Sequence, residues 1–132
     1  MKRILSLLLI FVLFLSLTSC GTLNFVDIEE FSSEIYTERD IADAMEVVLE
    51  EFLGKKDRIL LNLSYIGDAK LADYRDWADR NNADDVIVFL TDYYVSFFSD
   101  TPTQNTASEY ENWKFILVRT NGGEWEIVDQ GY

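Results

Sequence analysis

Cys20 is the residue with the most distinctive chemistry in this sequence, because it is the only cysteine among the 132 residues. The chain has no histidine, which excludes Cys–His and Ser–His–Asp catalytic arrangements and the usual zinc sites. A thiolate is nucleophilic and can accept a group that another enzyme supplies. Two interpretations of Cys20 are open: it is an attachment point, or it is a free thiol without a disulfide partner.

The residues before Cys20 are typical of a secretory leader. Met1-Lys2-Arg3 is a short basic head, and residues 4–17 form an apolar run that only two serines interrupt. A helix of about 14 residues spans roughly 21 Å, which is less than the ~30 Å hydrocarbon core of a bilayer. The run is therefore predicted to be the core of a signal peptide, not a stable membrane-spanning helix.

Leu17, Thr18 and Ser19 together with Cys20 resemble the bacterial lipobox, in which small residues fit a narrow peptidase site before the cysteine. We predict that residues 1–19 are a lipoprotein signal peptide and that Cys20 carries a diacylglyceryl group, so the protein would take up palmitate. Two acyl chains give stable anchoring, where one chain gives only marginal binding. The predicted location is extracytoplasmic, with the lipid on Cys20 in the bacterial cell membrane.

The charge of the chain after the leader limits its partners. Removal of Lys2 and Arg3 leaves 9 basic side chains against 24 acidic ones, a formal charge of −15. Nucleic acids and anionic lipid surfaces attract basic segments, so this sign excludes nucleic acid as a partner and disfavours general adhesion to an anionic leaflet. An acidic surface keeps a protein soluble, or it binds a cation or a basic partner.

Behind the leader, residues 20–36 are expected to be a lipidated N-terminus and tether, and residues 37–132 a single α+β domain. The tether lacks the Ser/Gly/Pro bias of a flexible linker, so part of it is expected to pack on the domain. Thr37 and Asp40 are predicted to form a capping box for a helix that ends at Gly54. The helical spacing predicts a buried face for this helix. Its members are Ile41, Met45, Val48, Leu49, Phe52 and Leu53.

Four strands and a second helix are predicted to follow. The strands are expected at 58–65, 85–98, 113–120 and 124–132, and the helix at 69–80 with Asp68 as its cap. The strand at 85–98 begins apolar on both faces, which suits the centre of a helix-covered sheet. It would exceed ~40 Å if straight, so a bend or bulge is expected.

The last two strands flank Asn121-Gly122, which predicts a tight hairpin turn because both central residues of a type I′ turn need positive φ. A two-residue turn sets one register, with two opposite-charge pairs and two apolar pairs. The pairs are Arg119 with Glu124, Val118 with Trp125, Ile116 with Ile127, and Lys114 with Asp129. A three-residue loop would instead set Phe115 opposite Asp129; the first register is preferred.

Helices followed by a mostly antiparallel sheet predict the α+β class. The expected architecture is an amphipathic N-terminal helix and a second short helix packed on a curved sheet that ends in a β-hairpin. NTF2-like and cystatin-like folds have this arrangement.

Several stretches of the chain carry a family resemblance. They are Tyr65-Ile66-Gly67-Asp68, Trp77-Ala78, residues 81–88, residues 112–119, residues 121–125 and Val128-Asp129-Gln130-Gly131-Tyr132. With them, the chain from about Ile35 onwards resembles a group of small uncharacterised bacterial lipoproteins of Firmicute type with an NTF2-like or cystatin-like C-terminal domain. The group has no activity that transfers, so the resemblance implies fold and location.

The NTF2-like resemblance also suggests weak catalytic candidates. Enzymes of this fold, such as ketosteroid isomerases, use a buried carboxylate base and a Tyr or Asp hydrogen-bond donor. Asp92 and Tyr94 on one strand face, with nearby tyrosines, could supply these groups. Those tyrosines are Tyr65, Tyr74 and Tyr132. The alternative is that the tyrosines fill the core while Asp92 faces water.

Two other kinds of site were considered. Carboxylates could hold calcium through Asp68, Asp73 and Asp76, or through Asp84 and Asp85, but no spacing matches an EF-hand loop. The sequence therefore predicts no cofactor and no metal site. A set of aromatic side chains could also line a groove for a carbohydrate or peptide, although such a set is more often core. The candidates are Trp77, Tyr93, Tyr94, Phe97, Phe98 and Trp113.

The function predicted from these patterns is a membrane-anchored binding or interaction module at the cell envelope. Its partner would be an envelope protein or a small ligand. The alternative is a small NTF2-like enzyme of the isomerase or cyclase type that uses Asp92 as a cavity carboxylate.

Overall fold

The computed structural model describes residues 26–99 and 104–132. The predicted signal peptide, the lipobox residues Leu17, Thr18 and Ser19, and Cys20 itself lie outside the described residues. The elements are β1 (Asp27–Ile28), α1 (Glu38–Leu53), β2 (Arg58–Tyr65), α2 (Asp68–Leu71), α3 (Arg75–Arg80), β3 (Asp85–Val95), β4 (Ser108–Arg119) and β5 (Glu126–Gly131).

The protein is α+β, with helices packed on a five-stranded open sheet of order β1-β2-β3-β4-β5. Strands β2 to β5 are antiparallel to their neighbours, and the two residues of β1 pair in parallel with β2. This confirms the predicted class and the mostly antiparallel sheet. Within the described ranges, no helix combines the length and the apolar character needed to cross a membrane.

Helix α1 begins as predicted from its sequence. The side chain of Thr37 accepts a hydrogen bond from Asp40 N at 3.1 Å, and Asp40 Oδ2 accepts one from Thr37 N at 3.0 Å. The helix ends at Leu53 before Gly54. The residues that it buries against the sheet are Ile41, Ala44, Met45, Val48 and Phe52.

Leu53 departs from the predicted buried face of α1, because its side chain is 55% exposed. The buried face is centred on Met45, Val48 and Phe52, so Leu49 and Leu53 lie at its margin. Leu53 is also the last residue of the helix.

The second helical region covers the predicted residues but is less regular than predicted. It consists of α2, a 3₁₀ turn over Ala72–Tyr74 and α3. Asp68 is not the N-cap; that position is Gly67, with φ of 90° and no side-chain capping bond. The carboxylate of Asp68 instead accepts hydrogen bonds from Ser33 Oγ, Glu34 N and Tyr65 Oη, so it is occupied elsewhere.

Strand β3 is the centre of the sheet, and its first half is buried on both faces as predicted. Ile87 and Phe89 belong to the core under α1, while Val86 and Val88 belong to a second core under α2 and α3. The expected irregularity is also present: the pairing with β4 shifts between Thr91 and Tyr93. The strand ends at Val95, three residues earlier than predicted.

Strand β4 begins at Ser108, five residues before the predicted start at Trp113. The reason is the bulge: β4 contributes both Glu111 and Asn112 opposite Asp92, and regular pairing then continues to Ser108 opposite Val95. Asn112 adopts φ of 55°, which an extra bulged residue can require.

The predicted register of β4 with β5 is wrong. Val118 lies opposite Glu126 and Leu117 opposite Ile127, which follows the three-residue alternative. A further shift then sets Ile116 opposite Asp129 and Lys114 opposite Gly131. The two predicted opposite-charge pairs, Arg119 with Glu124 and Lys114 with Asp129, are therefore not formed. Lys114 lies opposite Gly131, and Arg119 contacts Asp40 and Asp85.

Trp125 gives the physical reason for the shift. The turn residues behave as predicted, with φ of 53° at Asn121 and 64° at Gly122. Trp125 does not pair with Val118; its side chain is buried in the core under α1, and its Nε1 donates to Asp40 O at 3.1 Å. This long-range contact takes Trp125 out of the strand and delays the start of β5 to Glu126.

The described part of the tether packs on the domain. Asp27 and Ile28 pair with Asn62 and Leu63 of β2. Tyr36 Oη donates to Val86 O at 2.7 Å, and burial raises the pKa of Tyr36 to about 12. The chain from residue 26 to α1 is therefore held against one edge and one end of the sheet.

Candidate functional site

Four aromatic side chains form a continuous cluster on the face of the sheet that also carries α1, and we call Tyr93, Tyr110, Trp113 and Tyr132 the aromatic cluster. Tyr93 and Tyr110 are stacked, with ring centroids 5.3 Å apart and planes inclined by 8°. Tyr110 is stacked in turn with Tyr132 at 6.5 Å. Trp113 meets Tyr93, Tyr110 and Tyr132 edge to face, with centroids 6.0, 5.9 and 5.1 Å away. The cluster runs from buried Tyr93 to exposed Tyr132.

Polar groups surround the aromatic cluster. The side-chain amide of Gln104 donates to Tyr93 Oη, and Asn105 N donates to Tyr110 Oη at 2.7 Å. Trp113 Nε1 donates to Gln130 Oε1 at 3.3 Å. Burial raises the pKa of the Tyr93 hydroxyl, so this hydroxyl stays protonated at neutral pH. The cluster therefore has an apolar body with a rim of amide and hydroxyl groups.

Beside the aromatic cluster, one edge of β4 is open. Strand β5 pairs with β4 only between Lys114 and Val118. From Ser108 to Trp113, β4 pairs with β3 on one side, and none of the described strands pairs with its other side. We call residues 108–113 the open edge. Such an edge presents backbone N–H and C=O groups that another extended chain can use.

The side chains of the open edge differ between its two faces. Tyr110 and Trp113 point into the aromatic cluster, whereas Glu109 and Glu111 are exposed. Charges on an edge strand oppose pairing with a second copy of the same acidic strand. The same charges favour a basic segment.

The structure divides the six aromatic residues that the sequence suggested. Tyr93 and Trp113 join the cluster, together with Tyr110 and Tyr132. Of the other four, Trp77 lies at the second core, where it contacts Arg80. Tyr94 follows Tyr93 in β3 and so projects from the other face of the sheet. Phe97 and Phe98 form a separate exposed pair beyond the end of β3.

Tyr110 was missed because it precedes the predicted start of the strand at Trp113. The alternation that includes Tyr110 is interrupted at Glu111 and Asn112, where the bulge inserts an extra residue. A pattern of period two therefore stops at Trp113. The strand-like spacing between Ser108 and Tyr110 was too short to predict a strand alone.

Asp92, the candidate base, makes a hydrogen bond across the β3–β4 strand pair. Its Oδ1 accepts a hydrogen bond from Asn112 N at 2.7 Å, which satisfies the backbone of the bulged residue. Tyr94 is half-buried in the same strand. Tyr65, suggested as a neighbour, instead donates to Asp68 Oδ1 at 2.8 Å, and Tyr132 lies in the aromatic cluster.

Three concavities formed by described residues lie elsewhere. One is lined by α2, α3 and the start of β3, one by residues around the β4–β5 turn, and one by Phe31 to Ile41. Neither Asp92 nor Tyr94 lines any of these three.

Four of the five acidic residues that could have held calcium have other partners. Asp68 accepts from Ser33, Glu34 and Tyr65, and Asp76 pairs with Arg80. Asp84 Oδ2 accepts from Asn121 N at 2.6 Å, and Asp85 pairs with Arg119. In the described part of the chain, no group of three or more His, Cys, Asp or Glu side chains is placed to hold a metal ion.

No protein-family model matches the sequence, and comparison with curated proteins and with solved structures gives no match.

A network of charges at the other end of the sheet fixes α1 in place. Arg119 Nε contacts Asp85 Oδ2 and its Nη1 contacts Asp40 Oδ1, both at 2.7 Å. The guanidinium also lies 4.5 Å from the centroid of the Trp125 ring. The hydrogen bond from Arg119, followed by those from Thr37, lowers the pKa of Asp40 from 3.8 to about 2. The network joins the start of α1 to β3 and β4.

The depressed pKa of Asp40 predicts a pH-dependent contribution to stability. A carboxylate whose pKa is lower in the folded than in the unfolded state stabilises the fold above its unfolded pKa, and the effect is lost as pH falls through the folded pKa. We expect the parent protein to be more stable than an Asp40→Asn variant at pH 5–7. The difference should shrink as the pH falls from about 4 to 2. Urea unfolding of both proteins across this range checks it, and a pH-independent difference would contradict it.

Proposed function

We propose that the protein is a lipoprotein of the bacterial cell envelope, anchored through a diacylglyceryl group on Cys20, and that its domain is a binding module. The leader, its apolar length and the small residues before Cys20 support the anchor. We further propose an NTF2-like or cystatin-like fold closed by a C-terminal hairpin. The support for this fold is the packing of α1 on an antiparallel sheet whose strands follow chain order.

The observation that carries the proposed function is the open edge of β4 beside the aromatic cluster. Extended peptides bind sheet edges by adding a strand, with backbone hydrogen bonds for affinity and side-chain contacts for specificity. A strand added along residues 108–113 would continue the line of β5, which ends opposite Lys114. Its side chains on the cluster face would meet Tyr110 and Tyr132.

The stacking within the cluster favours a peptide over a carbohydrate. A sugar ring packs on an open aromatic face, but the faces of Tyr93 and Tyr110 are stacked on each other. Tyr132 also stacks with Tyr110, with ring centroids 6.5 Å apart. Peptide side chains can instead contact ring edges and the exposed outer face of Tyr132.

Charge selects the kind of peptide. Glu109 and Glu111 are exposed on the open edge, in a mature chain of formal charge −15. Complementary charge speeds association and excludes like-charged partners. We therefore propose that the module binds an extended, basic segment of an envelope protein.

A labelled peptide of alternating Lys and Val residues tests this proposal by fluorescence anisotropy with the mature protein. Reversal of two edge charges, Glu109→Lys with Glu111→Lys, should weaken binding roughly tenfold, which corresponds to about 1.4 kcal/mol. N-methylation of alternate peptide bonds, along the peptide edge that would pair with β4, should abolish binding. The methyl groups remove the N–H donors of the hydrogen bonds that an added strand would make to β4.

The matched control is the double variant Glu46→Lys with Glu50→Lys, which makes the same charge change on exposed positions of α1. If the peptide binds at the open edge, this control variant should change its affinity by less than about twofold, because charges distant from a binding site act mainly on the association rate. Equal losses in the two double variants would show non-specific attraction. Unchanged binding of the N-methylated peptide would also refute strand addition.

A further inference from the structure

The end of the sheet where β3 finishes carries an unusual concentration of exposed apolar side chains. Phe97 and Phe98 are 70% and 86% exposed, and Leu53 and Ile59 are 55% and 53% exposed. We call these four residues, together with Lys56, the apolar end. Single exposed apolar residues are normal, but a group of them marks an interaction surface.

The residues of the apolar end come from three segments near the same end of the sheet, and hydrogen bonds join two of these segments. Ser96 N donates to Asp57 O at 2.7 Å, and Ser99 Oγ donates to Asp57 Oδ2 at 2.6 Å. These bonds join the chain around Phe97 and Phe98 to the connection between α1 and β2. Ile59 lies opposite Tyr94 in the adjoining strand pair.

The apolar end also holds basic residues in a strongly acidic protein. Lys55, Lys56 and Arg58 are three of the nine basic residues of the mature chain. Lys55 pairs with Glu51, and the guanidinium of Arg58 lies 5.9 Å from the centroid of the Tyr93 ring. Lys56 is exposed. The sign of local charge at this end therefore differs from that of the protein as a whole.

The tether leads towards the same end. Strand β1 runs parallel to β2, with Asp27 opposite Asn62 and Ile28 opposite Leu63. Val26, which precedes Asp27, therefore lies on the side of β2 where Arg58 begins the strand. Five residues lie between Cys20 and Val26, and the six Cα–Cα steps between them span at most about 20–22 Å in a fully extended chain. Roughly 10 Å of this length is needed to reach the level of Arg58.

We propose that the apolar end docks on the surface of the bilayer that holds the lipid of Cys20. Phe97 and Phe98 enter the interfacial region, with Leu53 and Ile59 beside them, and Lys56 lies among the headgroups. Aromatic and aliphatic side chains with flanking Lys or Arg are suited to this region. The inference rests on the proposed lipid anchor and adds an orientation to it.

Charge and tethering both favour this orientation. An anionic leaflet repels the acidic remainder of the surface, and the repulsion falls off within about a Debye length. Because the apolar end carries basic residues, its approach to the leaflet is opposed less by this repulsion than the approach of the acidic surface. The anchor keeps the domain close to the bilayer, so the effective concentration of the apolar end at the membrane surface is high. Even a weak contact is therefore populated.

The test uses lipidated protein in phosphatidylcholine vesicles that contain about one quarter phosphatidylglycerol and an acyl-chain nitroxide quencher. An environment-sensitive fluorophore is placed on Lys56→Cys or, as the matched control, on Glu124→Cys at the opposite end of the sheet. The lipid occupies the Cys20 thiol, so each variant has one free thiol. We expect the label at position 56 to be quenched several-fold more than the label at 124.

A second pair of variants tests the apolar residues themselves. In the Lys56→Cys background, Phe97→Ser with Phe98→Ser should reduce quenching to the level at position 124. Ile35→Ser, an exposed apolar residue near the start of β3, should leave it unchanged. Equal quenching at 56 and 124, or no effect of the double variant, would overturn docking.

The outcomes separate docking from anchoring and from self-association. Mass spectrometry of the protein used shows whether Cys20 carries the diacylglyceryl group; an unmodified thiol would overturn the anchor and docking with it. A modified Cys20 without preferential quenching would overturn docking alone. If a second copy covers the apolar end, the label at position 56 is shielded from the acyl-chain nitroxide and is quenched no more than the label at 124, which would also overturn the proposal.

Discussion

Replacement of Cys20 by alanine should abolish incorporation of labelled palmitate and leave residues 1–19 attached to the chain. The reason is that the thiol is the only cysteine sulfur in the sequence that could receive a diacylglyceryl group. Each buried CH₂ of an acyl chain contributes about 0.8 kcal/mol to membrane binding, so two chains make the difference between stable and negligible anchoring. Metabolic labelling and intact mass spectrometry measure the two effects together.

The matched control for this experiment is Ser19→Ala, which replaces one small residue before the cysteine by another. It should preserve labelling and removal of the leader. If the Cys20→Ala chain takes up as much palmitate as its parent, or if the native mature chain begins elsewhere, the proposed anchor is wrong. A free thiol on the native chain would support the alternative of an ordinary secretory leader.

The parts of the fold that follow from short-range patterns could be predicted from the sequence. Three features depend only on residues within one turn or one strand. They are the capping box at Thr37 and Asp40, the strand Arg58–Tyr65, and the start of β3, which is buried on both faces. The bulge was expected because a straight strand over residues 85–98 would have been too long. Its position follows only from the pairing of β3 with β4.

The parts that were wrong depend on contacts between residues far apart in sequence. Trp125 donates to Asp40 O across 85 positions, and this contact outweighs the two opposite-charge pairs on which the predicted register relied. Exposed cross-strand charge pairs contribute only about 0.2–1 kcal/mol each. Burial of a large aromatic side chain contributes more than this, so the register follows Trp125.

The same reasoning explains which part of the candidate site could be predicted. Tyr93 and Trp113 were candidates because both lie in strands that the sequence predicts. The contributions of Tyr110 and Tyr132 depend on the bulge at Asn112 and on the final register, neither of which a single strand encodes. The proximity of the α1–β2 connection to the chain around Phe97 and Phe98 depends on Asp57, whose hydrogen bonds join segments about 40 residues apart.

The two proposed surfaces are close to each other in the fold. Strand β4 begins at Ser108, opposite Val95, so the open edge starts at the same end of the sheet as Phe97 and Phe98. If that end rests on the bilayer, the open edge rises from the membrane surface. A basic segment that emerges from the membrane, or that lies along it, would then be the partner best placed to add a strand.

The largest effect on stability is expected from Arg119→Met. Methionine keeps an apolar stem near Trp125 but removes the charge that faces Asp40 and Asp85. The Arg119 side chain is only 13% exposed, and removal of one partner from a buried ion pair destabilises by about 3–5 kcal/mol. Because both carboxylates are partly exposed, we expect a loss of about 2–3 kcal/mol, measured from the urea midpoint of unfolding.

Two comparisons distinguish an uncompensated charge from a general effect of losing an arginine. Arg39 contacts Asp43 at 3.9 Å with both side chains well exposed, so Arg39→Met should change stability by less than about 0.5 kcal/mol. Adding Asp85→Asn to Arg119→Met should recover part of the loss, because it neutralises one of the two carboxylates left unpaired. Additive losses in that double variant would show that packing on Trp125, rather than the charge network, holds α1 to the sheet.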